Sequence, residues 1–291
     1  SSEGGSVDLQ ATVDGEVLRN YLVNEIAARY DIPPQPPLPI PGTTNFTTGS
    51  GGRELDVQVS SEKISQALMD PVNRRVILEI RETPALPAAL DQLALFLKNT
   101  IERSGFKGIA EIYLQNPASA DLLHFAYRNG EDLPPDIAFS AASTIKIPIM
   151  VSILRRAGDP VQPEIKNLLE RMIEFSENPP ADAVMQSVLD PIRAPLEVTA
   201  DMQESLGLQN TFLAGYFYPG ADLLALYSTP ANTRTDIDLD PDVYNQTTVS
   251  DMGKLLTGIY TCASGQESIL TSAFPGEITP EKCQYMLDVL A

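Results

Sequence analysis

Proline sets the first limit on this chain. The run IPPQPPLPIPG at residues 32–42 offers too few backbone N–H groups for a helix interior or a central strand, because proline carries none and fixes its own φ. An extended connector is therefore expected there. A second break, ETPALPAA at 82–89, sets two prolines and small residues between a strand-like apolar run and an amphipathic helix. At 291 residues there is room for two domains. The breaks place them at 1–84 and 85–291, the first a small α+β unit.

Within the first domain, VDLQATVDGEVLRNYLVNEIAARY (7–30) reads as a short strand and then a helix, with Val17, Leu18, Tyr21, Leu22 and Ile26 at helical spacing. In GSGGRELDVQVSSEKISQALMDPVNRRVILEI (49–80), a Gly-rich turn precedes an alternating strand, Ser60 is placed to cap a helix running through Leu68, and VILEI forms a second strand. The second domain opens with an amphipathic helix, LDQLALFLKNTIERSG. Two strands follow, FKGIAEIYLQNP and LLHFAYRNGED, joined by PASAD as a hairpin that begins a mostly antiparallel sheet. The remainder is largely helical in pattern.

Hydrophobic residues make up 43% of the chain, enough to bury a real core and to exclude disorder throughout. No stretch of about 18 apolar residues suggests a membrane span. Acidic residues outnumber basic ones 39 to 20, for a net charge of −19. Such a field repels polyanions, which argues against nucleic acid or an anionic membrane as the main partner. Cys262 and Cys283 are the only cysteines. They could close a disulfide in an exported protein or stay as two buried thiols. Neither has a zinc-site context, and the single histidine, His124 in LLHFAYR, reads as structural. A His-based triad is thereby improbable, and no metal or organic cofactor is implied. The opening SSEGGSVDLQ has neither a basic nor an apolar signal region, so a secretion signal is expected to have been removed or not included. The sequons at Asn45 and Asn245 matter only in a glycosylating host.

The chemistry is carried by FSAASTIKIPIMVSIL, where Ser143-x-x-Lys146 stands at the head of an apolar helix with hydroxyl and amine on one face. A serine hydroxyl is a poor nucleophile until a base takes its proton, and a desolvated lysine of lowered pKa can be that base. The free N–H groups of a helix start also favour a developing oxyanion. The spacing alone is weak, as Ser60-x-x-Lys63 shows by repeating it in the small domain, where an N-cap is expected instead. What favours Ser143 is the loop SENPP, with Ser176, Glu177 and Asn178, between the helical runs NLLERMIEF and ADAVMQSV.

S-x-x-K followed by a Ser-x-Asn loop resembles the class A β-lactamases and penicillin-binding proteins. LGLQNTFL and TPANTRTDIDLDPDVYNQTTVSDMGKLLTGIY extend the resemblance across about residues 88–291. It implies an α+β fold, a helical lobe plus an antiparallel sheet, and a serine acyl-enzyme hydrolase acting on β-lactams or on peptidoglycan stem-peptide amides. Ser143 would be the nucleophile, Lys146 its base, Ser176 the proton relay to the leaving nitrogen, and Asn178 the substrate-binding amide. Residues 7–82, through F…G..GRELDV…I..AL…R.V.LEI, resemble the peptidoglycan-binding modules that precede cell-wall enzymes. Together these imply an exported, cell-envelope or extracellular protein with cell-wall peptidoglycan as partner.

The pattern departs from the family in several places. Only 33 positions separate Ser143 from Ser176, so the intervening helical lobe is expected to be trimmed. Glu177 replaces an aspartate. No glutamate occurs from Leu206 through Gln266, where the base for the hydrolytic water is expected, and Asp222 is the substitute considered. Without that base the acyl-enzyme should form yet persist, as in a penicillin-binding protein, which makes a D,D-carboxypeptidase or esterase the first rival. No Lys-Thr-Gly or Lys-Ser-Gly triplet is present, and the sequence reaches Ala291 within EKCQYMLDVLA. It is expected to be a fragment lacking its C-terminal strands. The second rival is a wall-binding pseudoenzyme.

Overall fold

The computed structural model describes residues 12–291 except positions 41, 44, 88 and 120. Most of the short strand expected at the start of residues 7–30 lies outside the described residues. The chain divides into two compact units, Ser1–Ser104 and Gly105–Ala291. The division falls beyond ETPALPAA, so the amphipathic helix after that break belongs to the first unit.

In the first unit, Asp14 caps helix α1 (Gly15–Tyr21), its carboxylate accepting from the Glu16 and Val17 amides. The helix continues through a π-helical stretch, Leu22–Ala27, into α2 (Ala28–Tyr30). The proline run is extended as expected, but it does more than connect. It doubles back through antiparallel bridges, Ile32 with Arg53, Gln35 with Ser50 and Pro39 with Phe46. The close approach needs Gly52, where a Cβ would sit 2.5 Å from the Pro34 nitrogen.

Strand β1 (Gly52–Leu55) leads into α3 (Val57–Met69) and then β2 (Ile80–Thr83), antiparallel to β1. Two expectations are corrected here. The cap of α3 is Asp56, whose carboxylate accepts from the Val59 amide at 3.0 Å. Ser60 is instead inside the helix, fully buried, with its hydroxyl accepting from the Glu79 amide at 3.1 Å. The strand expected at VILEI begins only at its last residue, because the ladder is registered by Glu54 opposite Arg81, an ion pair of 2.9 Å, rather than by the apolar run. Helix α4 (Leu90–Ser104) follows, with Phe96 against Phe46 at 4.6 Å between rings.

The second unit begins with the expected hairpin, β3 (Ala110–Gln115) and β4 (Leu122–Arg128), extended by β5 (Glu131–Leu133). The turn into β5 is Asn129-Gly130, both at positive φ, the residues such two-residue turns require. His124 is held by Glu111 at 2.7 Å, and the same carboxylate accepts from the Asp136 and Ile137 amides. These bonds tie β3 and β4 to the segment that follows β5.

A second three-stranded sheet joins β6 (Phe139–Ser140), β8 (Asn245–Thr247) and β7 (Phe212–Leu213), in the order β6-β8-β7. A 3₁₀ turn, Ala142–Ile145, carries the chain from β6 into α5 (Lys146–Arg156). Helix α5 is apolar nearly all round and is buried accordingly. Ile149, Met150, Ile153 and Leu154 are each fully enclosed, worth about 1.5–3 kcal/mol apiece. Around it lie α6 (Pro163–Glu174), α7 (Asn178–Val188) and α8 (Ala194–Ala200). Past β8, Thr248 caps α9 (Val249–Ala263), which is followed by α10 (Ile269–Ala273) and α11 (Pro280–Leu290). Cys262 on α9 is disulfide-bonded to Cys283 on α11, which settles the alternative left open by the sequence.

Candidate active site

Four residues singled out in the sequence meet at one point. Lys146, the first residue of α5, is only 1% exposed. Its Nζ lies 2.6 Å from the Ser176 carbonyl oxygen, 2.9 Å from Asn178 Oδ1, and 3.3 Å from each of Ser143 Oγ and Ser176 Oγ. Ser176 Oγ donates to Ser143 Oγ at 2.8 Å. Ser143, Ser176 and Asn178 are exposed, so the buried amine sits beneath groups a substrate can reach.

Local structure explains the convergence. Ser143 is on the 3₁₀ turn and Lys146 begins the helix it feeds, so the three-residue spacing brings both side chains to one face. Ser176 sits between α6 and α7 at φ 56°, in the left-handed region. That conformation turns its carbonyl and its hydroxyl toward the same amine. Asn178 opens α7, where its side chain reaches back to Lys146. The turn bearing Ser143 is tied down by the Ala142 amide, which donates to Asn245 Oδ1 at 2.9 Å.

The electrostatics make this amine easier to deprotonate than a lysine in water. Burial lowers the Lys146 pKa from the ordinary lysine value, and the charge of Asp182 partly opposes this. Two of the four acceptors, the Ser176 carbonyl and the Asn178 amide oxygen, cannot donate, so they take two N–H bonds in either protonation state. The remaining direction faces two hydroxyls, each able to donate to a lone pair. A neutral lysine therefore keeps both obligate acceptors and offers its one lone pair to the Ser143 hydroxyl, while Ser176 Oγ donates to Ser143 Oγ.

The other expectations find definite places. Glu177 is ion-paired to Arg171 on α6, so its carboxylate is engaged away from Lys146. Asp222 is on an exposed loop, and among the described hydrogen bonds none joins its carboxylate to the four site residues. Sequence reading missed Asp182, one turn beyond Asn178 on α7, 7% exposed, with Oδ1 accepting from the Phe217 amide at 2.9 Å. It also missed Phe217, whose ring centre is 5.6 Å from Lys146 Nζ. The i, i+4 spacing of Asn178 and Asp182 was the available signal. Nothing local in the sequence pointed to Phe217 or Asn245.

No family model matches the chain, and no curated protein does. Among solved structures it is similar to class A β-lactamases. The β-lactamase from Desulfarculus baarsii DSM 2075 aligns at 17% identity over 70% of each chain, with a TM-score of 0.44. A variant of the last common ancestor of Gram-negative bacteria class A β-lactamase aligns at 19% identity over 70% of this chain and 69% of that one, TM-score 0.42. An ancestral class A β-lactamase aligns at 18%, over 69% and 70%, TM-score 0.40. At these identities and scores the chemistry has to be read from the site's own atoms.

Proposed function

We propose that the second unit is a serine acyltransferase centre acting on β-lactams or on the corresponding amides of peptidoglycan stem peptides. The observation that carries this reading is the buried Lys146 amine, held by two obligate acceptors and facing the Ser143 and Ser176 hydroxyls together.

The chemistry follows from that arrangement. Ser143 Oγ attacks the substrate carbonyl and its proton passes to the neutral Lys146 amine. As the tetrahedral centre collapses, the C–N bond breaks. The leaving nitrogen takes a proton from Ser176 Oγ, which is replenished from the Lys146 ammonium at 3.3 Å. Asn178 orients the substrate amide through the part of its side chain not engaged with Lys146. Water then cleaves the ester, returning Ser143.

Deacylation is expected to be slow. Glu177 is paired with Arg171 and Asp182 accepts a backbone amide, so neither is free to activate water. Penicillin binding through a persistent acyl-enzyme is accordingly the favoured form of the reaction. An exported, cell-wall location is part of the same proposal, supported by the Cys262–Cys283 bond, since such bonds persist in oxidising compartments. The resemblance of residues 7–82 to peptidoglycan-binding modules makes the cell wall the proposed partner.

Intact-mass spectrometry after exposure to a penicillin tests the reading. The chain should gain the mass of one penicillin for minutes, and Ser143→Ala should gain none. An unmodified chain with the penicillin intact would sink the acyl-transfer proposal and leave a wall-binding pseudoenzyme in its place.

A further inference from the structure

Away from the acyl-transfer centre, the second unit brings the chain's single histidine together with two carboxylates from other elements. Glu111 is on β3, His124 on β4, and Asp136 on the segment between β5 and β6. One donor atom from each, an imidazole nitrogen and two carboxylate oxygens, lies within 4.8 Å of the others. His124 Nε2 is 2.7 Å from Glu111 Oε1. The Glu111 side chain is fully buried and that of His124 is 16% exposed, while Asp136 stands nearer solvent than either. Glu111 and Asp136 are 25 positions apart, so the trio is assembled by the fold and not by a local motif.

The charges around the trio leave a place for a cation. Arg234 is the fixed cation whose field reaches both carboxylates. Its five N–H groups are engaged by the Asp236 carboxylate and by the Pro134, Pro135 and Asp136 carbonyls, so it bonds neither Glu111 nor the Asp136 carboxylate. Glu111 is held from behind, with Oε1 accepting from the Asp136 amide at 2.8 Å and Oε2 from the Ile137 amide at 2.9 Å. Asp136 Oδ1 accepts from Ser250 Oγ, and its second oxygen has no partner among the described hydrogen bonds. What joins Glu111 to His124 is therefore one cation on Nε2, a proton or a metal ion.

One imidazole with two carboxylates is a donor set that suits zinc and its neighbours in the transition series, whereas magnesium and calcium take oxygen ligands. Zinc ligands stand about 2.0–2.2 Å from the ion, so two of them are at most ~4.4 Å apart. Small side-chain rotations bring the trio within that limit. We propose that Glu111, His124 and Asp136 bind one divalent transition-metal ion of the zinc class. The ion takes the Nε2 lone pair and one oxygen from each carboxylate, and the proton it displaces from the imidazole goes to solvent. Its role is to clip the β3–β4 hairpin to the segment that leads through β6 into the Ser143 turn. It takes no part in acyl transfer.

Titration of the untagged chain with Zn²⁺, followed by NMR of the histidine ring, tests the site. His124 is the only histidine, so its ring protons report on this place without any substitution. They should shift with the first equivalent of Zn²⁺ and stay in place with Mg²⁺. Calorimetry should give one site, weakened at least about tenfold by His124→Gln and by Asp136→Asn, since losing even an outer partner of a metal ligand costs about 10–100-fold in affinity. Zn²⁺ should raise the urea midpoint of the second unit in the parent chain and in neither variant. Zinc bound with an unmoved ring would put the ion on the chain's acidic surface and overturn the site. No binding, or full affinity in either folded variant, would overturn it as well. If a variant fails to fold, the parent's ring signals decide. None of these readouts involves penicillin, so the site stands or falls independently of the acyl-transfer reading.

Discussion

Two segments of this chain carry Ser-x-x-Lys, and they use it in opposite ways. At Ser60 and Lys63 the serine is fully buried and spends its oxygen on the Glu79 amide. The lysine reaches out, 44% exposed at its side chain, to an ion pair with Glu79 at 2.5 Å. At Ser143 and Lys146 the exposure is reversed, with the hydroxyl open to solvent and the amine 1% exposed among neutral acceptors. Burial among carbonyls and hydroxyls lowers the Lys146 pKa and makes its free base accessible, a setting that the solvent-exposed Lys63 side chain does not have. Spacing supplies a face of a helix; the surroundings decide whether that face performs chemistry.

The comparison can be broken most decisively at the two serines. Ser143→Ala should lower penicillin acylation by about 10⁴-fold or more, measured by adduct mass, while Ser60→Ala leaves the rate untouched. Equal losses would mean that the small unit supports the chemistry. At the lysines, Lys146→Ala should reduce the acylation rate by about 10²–10⁴-fold, against less than about twofold for Lys63→Ala. The same rate should rise with pH at a midpoint below the ordinary lysine value of 10.5, because the free base is the active form. A midpoint at or above that value would remove the contrast in burial from the explanation.

Smaller effects sharpen the contrast through stability. Replacing Cys262 and Cys283 by alanine opens a closure spanning 21 positions. It should cost the second unit about 3 kcal/mol, read as a lower urea midpoint, with the first unit's transition unmoved. Ser60→Ala leaves the Glu79 amide without its acceptor and should cost about 1 kcal/mol in the first unit alone. Least of all, Glu177→Asp should change acylation by less than about twofold, since the carboxylate pairs with Arg171 at a partly exposed position. A large loss there would place that carboxylate in the site.

Much of the second unit was legible because local rules and tertiary packing agree in it. The β3–β4 hairpin follows its apolar runs, and α6, α7 and α11 lie where helical runs were expected, although the strand read through RNGED in fact turns at Asn129-Gly130 into β5. The first unit was harder. Alternation through LDVQVS mimics a strand, yet Asp56 satisfies the Val59 amide and starts α3 four residues before Ser60. The strand pairing with β1 was set by Arg81 and Glu54 instead of by VILEI. In the site, residues near one another in sequence were readable. Phe217 reaches Asp182 across 35 positions and Asn245 reaches Ala142 across 103, distances no local pattern encodes.

Ser176 has a consequence for how such a centre could be lost. An L-residue held at φ 56° sits in a conformation that costs about 1 kcal/mol or more and that glycine or asparagine adopts more easily. Either replacement would ease the backbone, and either would delete the hydroxyl. Drift toward a more relaxed chain therefore runs downhill into silence, and keeping the serine requires continued use. A descendant with glycine at this position would be a protein that had gained stability by forgetting its chemistry.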